Sequence, residues 1–167
     1  GVITATACLN VGGRLLKIDP DGRLSYVSPV LDGIFSKQVG EVVTREEVLE
    51  LSERLVQALE AAAGLRENGA LTQKLRTVGA AVFPPPKDVL ISFSGGVADC
   101  IEKDQPWLAF GDMGPELGQA IRASRLCRGT YKLGSETIRA TVIGAGSHSA
   151  QLSGSTVFYQ NIHFPLK

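Results

Sequence analysis

The chain is poor in histidine, with His148 and His163 alone among 167 residues. No carboxylate stands at helical spacing from either, so together they make a poor metal site. Cysteine is scarce and odd in number: Cys8, Cys100 and Cys127. Their spacings match no zinc pattern and suit a reduced, cytoplasmic protein, where each reads as a small core residue. There is no surplus of charge, because 17 Lys and Arg balance 17 Asp and Glu. A neutral chain has no electrostatic basis for holding a nucleic-acid backbone. No apolar run approaches the roughly 18 residues that cross a membrane. The first residues, Gly1 to Ala7, lack the basic and apolar parts of a signal peptide. Neither a Gly-x4-Gly-Lys-Ser/Thr phosphate loop nor a Gly-x-Ser-x-Gly nucleophile turn occurs. Gly144 to Ser149 begins like a dinucleotide fingerprint but carries Ser149 where the third glycine belongs.

What is present is a globular α/β pattern. The apolar fraction is 44% and the charged fraction 20%, in keeping with a packed core. Nineteen glycines make a chain that turns often. Val2 to Val11 reads as a strand ending at Gly12-Gly13. Asp19-Pro20-Asp21-Gly22 is a turn signal, and Leu24 to Ser28 reads as the returning strand. Thr44 opens the clearest helix. Thr44 and Glu47 form a capping box, Val48, Leu51, Leu55, Leu59 and Ala62 share one face, and Gly64 supplies the stop. Glu50 and Arg54 stand as an i,i+4 pair. Leu71 to Val82 is a mixed segment, followed by the stiff Pro84-Pro85-Pro86. Val89 to Ser94 reads as a strand covered on both faces. Val97 to Ile101 begins a short helix, and Gly114-Pro115-Glu116 opens a longer one. Leu117, Ala120, Ile121 and Ser124 of that helix would face inward. Gly118 in its first turns implies close packing, and Gly129 ends the stretch. Thr137 to Ile143 and Ser155 to Tyr159 read as further strands.

The neutral total hides two opposed patches. Residues 41 to 60 carry Glu41, Glu46, Glu47, Glu50, Glu53 and Glu60 against Arg45 and Arg54. Residues 120 to 140 carry Arg122, Arg125, Arg128, Lys132 and Arg139 against Glu136. The plain reading of the first is a solvated helix face.

Ligands of α/β folds collect outside the carboxyl ends of strands, which makes Ser94-Gly95-Gly96-Val97-Ala98 the first candidate site. Two glycines would let the backbone approach a flat ligand; the same residues would also make a ligand-free strand-to-helix turn. Ile143 to Ser149 is the second candidate, with His148 and its flanking serines, or simply a turn between strands. Asn10-Val11-Gly12-Gly13-Arg14 is the third: it would hold a phosphate or merely end a hairpin.

Four segments give the chain a resemblance to a known family. They are Ala7 to Leu16 (ACLNVGGRLL), Phe93 to Ala98 (FSGGVA), Phe110 to Gly118 (FGDMGPELG) and Arg139 to Val157 (RATVIGAGSHSAQLSGSTV). In these the sequence resembles the reactivating factors of ethanolamine ammonia-lyase, the EutA family. The resemblance implies an actin/sugar kinase/Hsp70-like, ribonuclease H-like nucleotide-binding fold with a mixed sheet and flanking helices. It implies a chaperone-like factor that uses ATP and Mg²⁺ to release damaged cobalamin from the adenosylcobalamin-dependent lyase, its client. Ser94, Gly95, Gly96, Val97 and Ala98 would then line the adenine and ribose. The setting would be the bacterial cytoplasm or the ethanolamine microcompartment, with room for a homo-oligomer.

The chain departs from that pattern in one respect. The Asp-x-Gly-Thr-like and Asp-x-Gly-Gly-Gly-Thr-like phosphate hairpins of the fold are missing, and with them the carboxylates that would organise Mg²⁺. The expectation is therefore that residues 1–167 form a C-terminal-side lobe of a longer reactivase, with a helical insert over 30–86, not catalytic by itself. The alternative is a protein-interaction lobe that docks on the lyase and has little nucleotide role of its own. A stand-alone enzyme would have only His148 and its neighbouring serines to work with.

Overall fold

The computed structural model describes residues 6–79 and 89–134. The elements run β1 (Ala7–Leu9), β2 (Leu16–Ile18), β3 (Leu24–Val27), α1 (Arg45–Ala62), α2 (Ala70–Leu75), β4 (Arg76–Gly79), β5 (Ile91–Phe93), α3 (Gly96–Glu102), α4 (Gly114–Ala123) and β6 (Tyr131–Leu133). The mixed α/β character is as expected. The sheet is not continuous, however: among the described residues the strands pair as three two-stranded ladders. β1 and β4 are antiparallel, β2 and β3 are antiparallel, and β5 and β6 are parallel. The strands expected at 137–143 and 155–159, the triple proline and the Ile143 to Ser149 candidate with His148 lie outside the described residues.

α1 begins where the capping box places it. Thr44 Oγ1 accepts from the Glu47 backbone N–H at 3.3 Å, and Glu47 Oε2 accepts from the Thr44 N–H at 2.8 Å. That backbone donor, helped by Lys37 Nζ at 2.9 Å, holds the Glu47 carboxyl below its ordinary range. Val48, Leu51 and Leu55 are buried as the periodicity requires. The buried surface is wider than one stripe, because Ser52, Val56, Ala58, Glu60 and Ala61 are also covered. The helix serves two cores at once. Val48, Leu51 and Leu55 pack with Leu16, Ile18 and Leu24 of the β2–β3 hairpin, and with Leu75 and Met113. Val56 packs with Ile101 of α3 and with Leu117, Ala120 and Ile121 of α4.

The structure corrects several local expectations. Arg54 Nη1 donates to the Ile34 carbonyl at 2.6 Å instead of pairing with Glu50. Glu60 is not part of a solvated face but is buried, since Arg66 Nε at 3.0 Å and the Arg125 N–H at 2.9 Å come from later in the chain to satisfy it. Ser92 is exposed and Ile91 and Phe93 are half-buried, so β5 is not covered on both faces; β6 is its one strand neighbour among the described residues. Cys8 is exposed on β1, whereas Cys100 is buried and Cys127 half-buried. α4 stops at Ala123, ahead of Gly129, because Ser124 caps it: its Oγ donates to the Ile121 carbonyl at 2.6 Å and accepts from the Leu126 N–H at 3.2 Å. Leu117, Ala120 and Ile121 face inward as expected.

Candidate functional site

β5 runs directly into Ser94-Gly95 and α3 starts at Gly96. The turn needs the left-handed backbone of Gly95, at φ +99°. The Ala98 N–H donates to the Gly95 carbonyl at 3.0 Å and closes it. A Cβ built on Gly95 or on Gly96 meets nothing within 4 Å, so the two glycines leave open space rather than fill it. That space is a cleft of about 250 Å³. Ser94, Gly95, Gly96, Val97 and Ala98 all line it, together with apolar side chains from Val11, Leu59, Phe93, Leu117 and Ile121. Phe93 is held edge-on to Tyr131 of β6, with ring centroids 6.0 Å apart.

Gly12 lines the same cleft, so the third candidate segment meets the first. Its following residues, Gly13 and Arg14, line a second groove of about 640 Å³. Gly96 and Val97 line both spaces, so the two lie side by side. The groove also takes Asp99, Lys103, Phe110 and Asp112, and Phe110 is 57% exposed. Sequence reasoning did not single out Lys103, Phe110 or Asp112 as site residues. The loop that brings the last two there is pinned by long-range contacts: the Ile18 N–H donates to the Gly111 carbonyl at 2.9 Å and the Met113 N–H to the Gly13 carbonyl at 3.1 Å.

Cys100 also lines the groove yet is almost wholly covered, and that burial, with the nearby Asp112 charge, pushes its thiol up. A raised thiol is less readily the thiolate that nucleophilic chemistry needs. Glu116 at the start of α4 is wholly buried. One of its oxygens accepts from Arg45 Nε at 3.1 Å, and the other has no hydrogen-bond partner among the described residues. Burial pushes its carboxyl up, and the Arg45 bond only partly pulls it back. Among the described residues no three His, Cys, Asp or Glu side chains gather as a metal site. None of the described helices is long and apolar enough to cross a membrane.

The fold and its cleft define a mixed α/β protein whose glycine-floored pocket opens beside a charged groove. Residues 1–167 match the family of ethanolamine utilisation protein EutA from end to end, and the chain belongs to that family. It is 34% identical to the ethanolamine ammonia-lyase reactivase EutA of Salmonella typhimurium (strain LT2), an alignment that takes in 100% of the chain and 37% of the relative. With the Escherichia coli (strain K12) protein of the same description the identity is 35%, over 100% of the chain and 37% of the relative. The chain thus spans little more than a third of the length of these curated relatives. No solved structure matches it.

Proposed function

We propose that this chain is the adenosine-side lobe of an ATP-dependent reactivating factor that releases damaged cobalamin from ethanolamine ammonia-lyase. In this reading the fold belongs to the actin/sugar kinase/Hsp70 class, and the factor works as a chaperone in the cytoplasm or at the ethanolamine microcompartment. The observation that carries it is the cleft after β5. All five residues expected to meet adenine and ribose line one largely apolar pocket, in which Gly95 and Gly96 leave open space where side chains would stand. A flat, largely apolar base fits such a space, and a polar backbone floor suits a ribose. Family membership and the description of the curated relatives as reactivases of ethanolamine ammonia-lyase support the client. ATP and Mg²⁺ would be supplied to the full-length reactivase.

The test uses that full-length protein with lyase inactivated by damaged cofactor, intact adenosylcobalamin, ATP and Mg²⁺. Regained lyase turnover is the readout. Gly96→Val starts from a Cβ position with no atom within 4 Å and puts its methyl groups into the open space, so the variant should fold and lose reactivation about tenfold or more, the scale of a blocked binding site. Full reactivation by a folded Gly96→Val protein would sink the adenosine reading.

A second reading has its own observation. Glu46, Glu50 and Glu53 form an exposed acidic stripe along α1, suited to docking on a basic surface of the lyase. Under that reading Gly96→Val reactivates normally, while reversing the stripe to lysine removes reactivation.

A further inference from the structure

The loop before α4 holds an aromatic ring out of the surface. We propose that Phe110, flanked by Arg14, Lys17 and Lys103, docks on the acidic face of α1 in a second copy of the chain, so that two copies pair with each contact made twice. This pairing is independent of the nucleotide and client readings.

Three observations carry it. First, Phe110 is 57% exposed although its loop is firmly anchored. Trp107 and Leu108 pack against the hairpin-side core. Leu108 takes a left-handed backbone, at φ +70°, which a leucine adopts only where its surroundings hold it, and the Gly111 N–H closes the turn on the Leu108 carbonyl at 3.1 Å. A ring presented by a braced turn loses little freedom on docking, and aromatic anchors carry much of the energy of protein interfaces. Second, the groups that project around the ring are cations. Arg14 and Lys103 line the groove with Phe110, and Lys17 stands across from Asp112 of the same groove. All three are exposed, and the side chains of Arg14 and Lys17 make no hydrogen bond or ion pair among the described residues. The carboxylates there are half-buried and engaged: Asp99 stands 4.0 Å from Lys103 Nζ, and Asp112 Oδ1 accepts from the Gly114 N–H at 2.8 Å. Third, the complement of this surface lies on the chain itself. Glu46, Glu50 and Glu53 share one exposed face of α1, at steps of four and three, and make no ion pair among the described residues. Beside Glu50 is a hollow of about 280 Å³ whose lining includes Ile34, Phe35 and Leu51, with room for a phenyl ring. Three acids and a socket thus answer three cations and a knob. Either face set against itself would oppose like charges, so the match runs from one face to the other. A two-fold axis makes that contact twice and closes the pair.

Sedimentation equilibrium of the full-length protein tests this. The parent should sediment as two chains, and its dissociation constant should rise about tenfold or more as salt goes from about 0.05 M to about 0.5 M. Phe110→Ala should weaken the pair about tenfold or more, the loss expected of an anchor residue. Two reversed variants decide the faces. Arg14→Glu with Lys17→Glu and Lys103→Glu sets acid against acid; Glu46→Lys with Glu50→Lys and Glu53→Lys sets base against base. Each alone should sediment as one chain. An equimolar mixture of the two should recover pairs, because both contacts are then complementary with their signs exchanged. Recovery on mixing also shows that neither variant failed to fold. A parent that sediments as one chain overturns the pairing. So does a reversed variant that still pairs by itself, or a mixture that stays as single chains while circular dichroism shows both variants folded. If reversing the α1 face leaves the pair intact but abolishes binding to the lyase, that face belongs to the lyase and the pairing falls.

Discussion

At Gly118 a built Cβ would lie 2.6 Å from the carbonyl carbon and oxygen of Cys100, so the crossing of α3 over α4 depends on a missing side chain. Those atoms are backbone and cannot rotate away. Gly118→Ala should therefore cost about 1–3 kcal/mol or more in urea denaturation, the range for overpacked cores. A change below about 0.5 kcal/mol, ordinary for a surface substitution, would mean that the helices part freely. Glu116 makes a different demand on the same helix. Its raised carboxyl is harder to ionise in the folded chain than in the unfolded one. Its contribution is thus fully present below the ordinary carboxylate range and is lost as pH rises towards the raised value. Glu116→Gln removes this dependence. The stability of the variant relative to the parent should climb as pH rises through and above the ordinary carboxylate range, and level off once the raised carboxyl has ionised. A flat difference across that range would show that Arg45 fully offsets the burial.

At the scale of elements, α1 is where local signal and packing agree. Thr44→Ala removes the acceptor for the Glu47 N–H. It should cost about 1 kcal/mol, read as a lower denaturation midpoint and faster hydrogen exchange in the first turn. This helix was legible because its start, stop and inward face are all written within twenty-odd neighbouring residues. The turn after β5 was legible for the same reason: a short apolar run followed by two glycines points to an open strand end. The ladders were not. Parallel pairing of Ile91 with Tyr131 joins positions far apart in the chain, and no short-range pattern encodes it. Glu60 and Glu116 were misjudged or only half seen on the same grounds. Each acid is buried because a distant group reaches it, Arg125 in one case and Arg45 in the other. Helical position alone shows neither partner.

Over the whole molecule, the neutral total charge conceals very different local arrangements. Glu46, Glu50 and Glu53 stay exposed on α1, while two arginines of the basic segment are engaged: Arg122 reaches Asp104 at 3.3 Å and Arg125 reaches the Leu65 carbonyl at 3.0 Å. The two cores share α1, so the hairpin side and the cleft side are tied through one helix. The cleft and groove lie where the β1–β2 turn, the start of α3 and the loop before α4 converge. That loop carries Trp107, packed half-buried against the hairpin-side core, only a few residues before Phe110 at the groove. It is the chain's single tryptophan. The molecule thus contains its own optical reporter: one indole, excited apart from the tyrosines, whose emission colour follows the polarity of a loop at the groove's edge with no dye attached.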